Sequence, residues 1–130
     1  MKDRKTAASE EDLTEIGFLE AVAGRLPDDS EVLKAWGDMC TRVGRYEQGL
    51  KVDRRLAELC PDEPLVWYNL ACSLALLHQR KEALATLAQA IALGYRDYDW
   101  MSRDDDLRSL REDQEFKTLL KRIAPQAQTG

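Results

Sequence analysis

Two stretches, LKAWGDMCTRVGRYEQGL at residues 33–50 and WYNLACSLALLHQRKEAL at residues 67–84, decide the fold of this chain. Both place apolar side chains three and four positions apart, which is the spacing of an amphipathic helix. They also share one register, because a shift of 34 residues carries Gly37 onto Ala71. Self-similarity at a fixed period indicates a repeat architecture.

Small residues stand at matching places in the two stretches, where they would let the two helices of one hairpin approach closely. Mid-helix glycine is otherwise unfavourable by about 1 kcal/mol relative to alanine, so Gly37 needs such a reason. Gly44 supplies the turn between the first pair of helices. The matching small residues are Gly37 and Ala71 in the first helices and Gly49 and Ala83 in the second helices.

Over about residues 11–95 the chain resembles the tetratricopeptide repeat family, whose unit is a helical hairpin of 34 residues. The family pattern is W-x2-L-G-x2-Y, then A-x3-F, then P. Three residues depart from it: Asp53, His78 and Arg80. The resemblance implies an all-α fold, in which antiparallel helical hairpins form a right-handed superhelix. We expect His78 in the turn between two helices, since histidine tolerates a positive φ better than most residues.

The register also predicts the organisation of the chain. One helical domain is expected at residues 11–123, between flexible segments at residues 1–10 and 124–130. The expected parts of the domain are a half repeat at 11–29, full repeats at 30–63 and 64–97, and a capping tail at 98–123. The expected helices cover residues 11–25, 31–43, 46–59, 64–77, 80–93 and 113–123.

The tail resembles a segment found after bacterial repeats of this family, of the form D-P-D-L-x-x-L-R-x-D-P-x-F. Asp105 and Gln114 replace its two prolines. We expect its apolar residues to bury against the last hairpin, because a terminal repeat would otherwise expose its apolar face. These residues are Leu107, Leu110, Phe116, Leu119 and Leu120.

The composition excludes several classes of protein. The 130 residues are 44% hydrophobic and 33% charged, which suits a soluble domain. The net charge of −5 leaves no electrostatic footprint for nucleic acid. No stretch is apolar enough for a membrane span, and the N-terminus lacks the apolar core of a signal peptide. We therefore expect a cytoplasmic protein without nucleic-acid or membrane partners, and a homodimer is possible.

The sequence offers little for catalysis or metal binding. Cys40, Cys60 and Cys72 are widely spaced and accompany a single histidine, so we expect reduced thiols and no zinc site. Cys72 is expected to be the most reactive thiol, because in the family that the chain resembles its register points towards a concave groove. The run Asp104–Asp106 lacks the spacing of a calcium loop, and Ser102 is a plausible helix cap before it. We predict no metal, no cofactor and no enzymatic activity.

In the family that the chain resembles, the first helix of each hairpin lines a concave groove. The resemblance therefore implies a scaffold that binds a peptide segment or a partner protein there. Alternatives are a small secretion-type or co-chaperone module and a self-associating structural or regulatory unit. The sequence leaves open whether the tail fills the groove; if it does not, Tyr68 is the best anchor. The expected groove residues are Lys34, Asp38, Thr41, Arg42, Leu65, Tyr68, Asn69, Cys72 and Leu76.

Overall fold

The computed structural model describes residues 8–125, and every regular element in that range is helical. The predicted all-α, tetratricopeptide-like fold is thereby confirmed. The chain divides into two compact units, Met1–Pro61 and Asp62–Gly130. Most of the two segments expected to be flexible, residues 1–7 and 126–130, lies outside the described residues. The single domain at residues 11–123 stays a prediction.

The first unit contains three helices: α1 (Glu10–Arg25), α2 (Ser30–Arg42) and α3 (Tyr46–Leu59). Ser9 begins α1 with a capping box, in which its hydroxyl accepts from the Asp12 backbone N–H and the Asp12 carboxylate accepts in return. Asp29 caps α2 by accepting from the N–H groups of its first turn. Gly44 joins α2 to α3 at a φ of 85°, where a side chain would be strained.

The core of this unit joins α1 to α2. Ile16 of α1 packs with Met39 and Cys40 of α2, and all three are buried. On the other side of α2, Gly37 lies so close to α3 that a Cβ there would stand 3.3 Å from Val52 Cγ1. The small residue therefore sets the close approach of the two helices, as the sequence predicts.

The second unit begins with the hairpin of α4 (Pro64–Leu76) and α5 (Arg80–Ala92). His78 lies in the turn with a φ of 60°, which confirms the prediction for this residue. The tail follows as α6 (Tyr98–Arg103), a 3-10 helix (Asp105–Leu110) and α7 (Gln114–Ile123). Of these tail elements, only α7 is predicted by the sequence pattern. In residues 8–125 no helix is long and apolar enough to cross a membrane.

The tail packs on the last hairpin, with the 3-10 helix against α4 and α7 against α5. Four of its five predicted apolar residues are buried, and Leu120 is half-buried. Asp113 caps α7 and also pairs with Arg80 of α5 at 2.8 Å. Ser102, expected as a cap, instead lies inside α6, and Asp104 caps the 3-10 helix in its place. The Asp104 side chain reaches the Asp106 N–H at 3.0 Å.

Candidate functional site

One side of α2 carries four of the predicted groove residues. Asp38 and Arg42 are exposed, while Lys34 and Thr41 are half-buried. They lie along one side of the helix, between its buried residues, because positions 34, 38, 41 and 42 recur at helical spacing. We call this set, Lys34, Asp38, Thr41 and Arg42, the α2 strip.

Ion pairs and partial desolvation characterise the charged residues of the α2 strip. Lys34 Nζ lies 3.6 Å from Glu31 Oε2 in the preceding turn. Arg42 Nε donates to Asp12 Oδ1 of α1 at 3.2 Å, which ties the end of the strip to the neighbouring helix. Partial desolvation raises the pKa of the Asp38 carboxyl above its ordinary value. The strip thus presents both signs of charge along one side of a helix.

The corresponding side of α4 has a different environment. Tyr68 is 2% exposed, and its ring stacks on that of Tyr95 with the centroids 4.3 Å apart. Its hydroxyl donates to Asp104 Oδ2 at 2.7 Å. Burial raises the pKa of the Tyr68 hydroxyl, so it stays a donor at all moderate pH values.

Asp104 is the centre of this buried contact. The Cys72 thiol donates to the same carboxylate oxygen, with Sγ 3.6 Å from Oδ2. Arg111 Nη2 closes the group from the other end by donating to the Asp104 carbonyl at 2.8 Å. A carboxylate that is 3% exposed is tolerated here because each of its oxygens accepts a hydrogen bond.

The tail therefore occupies the side of α4 that the sequence assigns to the groove, and the open question is answered for this unit. Tyr68 and Cys72 lie beneath the 3-10 helix, which removes them from direct contact with a partner in this conformation. The expectation that Cys72 is the most accessible thiol is wrong for the same reason. Leu65 is 58% exposed, and Asn69 and Leu76 are half-buried.

The ligand-type atoms of Cys72, Asp104 and Asp106 lie within 4.8 Å of one another. Three such donors could hold a metal ion in principle. Without a metal ion, burial raises the pKa of the Cys72 thiol well above its ordinary value, so the thiol keeps its proton. The observed arrangement is a hydrogen-bonded cap, in which the thiol and the Tyr68 hydroxyl both donate to Asp104.

Asp104 and Arg111 are the residues whose roles the sequence does not predict. Helical periodicity cannot distinguish a buried aspartate from an exposed one in a run of three. The usable signal is the tail pattern, because Asp104 is its first aspartate and Arg111 is its arginine. The structure shows that these two pattern positions close one loop around the start of the 3-10 helix.

Comparison with known proteins gives two findings. A family model described as tetratricopeptide repeat matches residues 30–71. The chain is also 34% identical over 86 residues to a curated chloroplastic protein of Arabidopsis thaliana, across 64% of this chain and 26% of that protein. The chain thus spans about a quarter of the length of this curated relative.

Proposed function

Because residues 30–71 match the tetratricopeptide repeat family, whose repeats generally mediate protein–protein interaction, we propose that this chain is a protein-binding module. Its binding surface is the α2 strip, which holds an extended or helical segment of a partner protein. The observation that supports this choice is the difference between the two hairpins. The groove side of α4 is covered by the tail, whereas the residues of the α2 strip are exposed or half-buried.

The chemistry of the strip indicates the kind of segment it would hold. Lys34 and Arg42 are cations, and Asp38 lies between them on the same side of the helix. A matching partner segment would carry acidic residues opposite Lys34 and Arg42. Between them it would carry a basic or hydrogen-bond-donating residue opposite Asp38. Exposed ion pairs contribute at most about 1 kcal/mol each, so we expect modest affinity with a salt-sensitive association rate.

The other parts of the proposal concern what the module does not do and where it acts. Tetratricopeptide repeats are typically non-enzymatic scaffolds, and we propose that this chain likewise has no catalytic activity. A cytoplasmic location stays a prediction from the sequence. The Arabidopsis relative is named as a chloroplastic protein, so the location of this chain needs its own measurement.

Site-specific photo-crosslinking in a native cell extract tests the proposal. A photoreactive amino acid is placed at position 34, 38 or 41, and in a control at position 58 on α3, where the Glu58 side chain is 69% exposed. We expect one adduct of the same mass from the three strip positions and none from position 58. The identified partner should then bind Asp38→Lys protein several-fold more weakly, and this difference should shrink as salt rises. Equal adducts from position 58, or unchanged affinity of the variant, would contradict the proposal.

A further inference from the structure

The 34-residue register extends back into α1, which aligns with the second helices of the two hairpins, α3 and α5. Second helices use one face to pack on the first helix of their own hairpin. In α3 this face includes Val52, whose Cγ1 lies 3.3 Å from the Cβ position of Gly37 in α2. The aligned positions are Glu15, Gly49 and Ala83; Phe18, Val52 and Thr86; and Val22, Leu56 and Ala90.

This face is buried in both hairpins and open in α1. In α3 and α5 all six aligned residues are buried. In α1, Phe18 is 65% exposed, Glu15 is exposed and Val22 is half-buried. Within residues 8–125, α1 thus presents the surface that a second helix normally turns towards its first helix. A phenylalanine with that exposure on a regular helix is an unpartnered apolar group.

The open face is acidic at one end and apolar at the other. Glu11, Glu15, Phe18 and Val22 follow one another at spacings of four, three and four, which places them on one stripe of the helix. We call these four residues the open face of α1. The helix dipole accounts for Glu11 in the first turn, but Glu15 lies beyond that turn. The two carboxylates are four residues apart and repel each other until a cation approaches.

We infer that the open face of α1 docks a basic amphipathic helix of a partner protein. The occupant is a helix because α2 and α4 cover the aligned faces of α3 and α5. It is basic because two neighbouring carboxylates lie beside the apolar residues, at one end of the face. A second copy of this chain is a poorer occupant of the same face, since none of its four residues is basic and Glu11 and Glu15 would stay without a counter-charge from the paired face.

The replacement of a small residue by Glu15 further defines this occupant. Gly49 and Ala83 are buried at the aligned position, where α3 and α5 pack on their first helices. Glu15 prevents such close packing and instead offers a charge at the point of contact. The expected partner helix therefore carries a lysine or arginine there, beside an apolar stripe that receives Phe18. This surface is separate from the α2 strip, so either proposal can fail without the other.

The test uses the full chain and a synthetic probe. The probe is a helical peptide of about 18 residues with one leucine and alanine stripe flanked by lysines, and the control peptide has glutamates in place of the lysines. Fluorescence anisotropy measures binding at about 50 mM and about 300 mM salt. We expect the basic peptide to bind, the acidic one not to bind, and Phe18→Ala to weaken binding about tenfold. Glu15→Gln should weaken it several-fold and lower its salt dependence.

Two matched variants show whether the effect is local. Leu13→Ala removes an exposed apolar side chain of the same helix that lies away from the open face, and Glu58→Gln removes another exposed carboxylate. Both should leave the affinity unchanged. The Phe18→Ala protein should keep the melting temperature of the wild type, since the ring is largely in solvent. The inference is overturned if Phe18→Ala binds as well as the wild type, if Glu58→Gln weakens binding as much as Glu15→Gln, or if Phe18→Ala abolishes a dimer of the chain.

Discussion

The hydroxyl of Tyr68 donates a 2.7 Å hydrogen bond to Asp104, which lies 36 residues further along the chain. This contact joins the middle of α4 to the start of the 3-10 helix. It explains why Tyr68, which the register assigns to the groove side of α4, is part of the core. The tail is therefore held by a specific polar contact in addition to its apolar residues.

Removing this hydroxyl should cost stability. In Tyr68→Phe the ring can still stack on Tyr95, but one donor to a buried carboxylate is lost, and we expect a loss of about 1–3 kcal/mol. Urea denaturation measures it. Tyr98→Phe is the matched control, because Tyr98 is a half-buried tyrosine of the same unit and should change stability much less. Equal stability of Tyr68→Phe and the wild type would show that the hydrogen bond contributes nothing.

The buried cysteine thiols and tyrosine hydroxyls should make the stability of the fold sensitive to high pH. Burial raises the pKa of Cys40 to about 11, and it raises the pKa values of Cys72, Tyr68 and Tyr95 above their ordinary values of 9.0 for cysteine and 10.0 for tyrosine. The folded chain therefore keeps these protons at a pH where the unfolded chain releases them. The contribution of each group is complete below its ordinary pKa. Above that pH it decreases by about 1.4 kcal/mol per pH unit until the pH reaches the folded value, which is about 11 for Cys40.

Denaturation series at pH 8, 10 and 11 check this sign. Because Tyr68→Phe removes one of the titrating groups, its stability should fall less steeply between pH 10 and 11 than that of the wild type. The control Tyr98→Phe should follow the wild type. Stability that rises with pH in this range would contradict the prediction, since it requires the unfolded chain to bind more protons than the folded chain.

The three thiols should react in a definite order. Cys60 is half-buried, whereas Cys40 is fully buried and Cys72 is 6% exposed. A thiol reagent should therefore label one cysteine of the native protein quickly and the other two only as the chain opens. In Cys60→Ser the fast phase should disappear. A fast phase that survives in this variant would show that Cys40 or Cys72 is reachable in the folded state.

Two glycine substitutions should have opposite effects. Gly17 lies in α1 with no atom within 4 Å of an added Cβ, so Gly17→Ala should stabilise the protein by about 0.5–1 kcal/mol. An added Cβ at Gly37 would meet Asp53 Oδ1 at 3.1 Å and Val52 Cγ1 at 3.3 Å. Both neighbours are buried and Val52 is stiff at χ1, so Gly37→Ala should be destabilising by about 1 kcal/mol. Thermal melts decide between this outcome and a gain equal to that of Gly17→Ala.

Most of the helical framework could be predicted from the sequence because two independent signals agree there. The 3.6-residue period marks the helices, and the 34-residue period places their ends, so the predicted bounds of α3 are those observed. The observed bounds of α4 differ by one residue at one end. The helix α6 and the 3-10 helix have six residues each, too few for a period to appear. Tertiary contacts and the side chains of Asp97 and Asp104 decide these elements.

The residues of the candidate site were likewise predictable in their position on a helix but not in their tertiary contacts. Register predicts which side of a helix a residue occupies, and Lys34 and Tyr68 do occupy aligned positions of α2 and α4. Register does not predict what lies on that side. The covering of Tyr68 depends on Leu107 and Leu110, which are fully buried, and on a carboxylate that happens to meet a hydroxyl. Such a fit arises between elements distant in sequence, and one helix alone contains no sign of it.

The contact between the tail and α4 also restricts which hairpins of the chain could be duplicated or exchanged. Tyr68 and Cys72 donate hydrogen bonds to Asp104, and the Tyr68 ring stacks on Tyr95. One period earlier, Tyr68, Cys72 and Tyr95 align with Lys34, Asp38 and Pro61. A tail joined to a duplicate of the first hairpin would lose the stacked ring and the Tyr68 hydroxyl, and Asp104 would meet Lys34 together with the carboxylate of Asp38. We therefore expect duplication of a hairpin to be tolerated ahead of residue 64 more readily than replacement of the hairpin that precedes the tail, because only that hairpin provides Tyr68 and Tyr95.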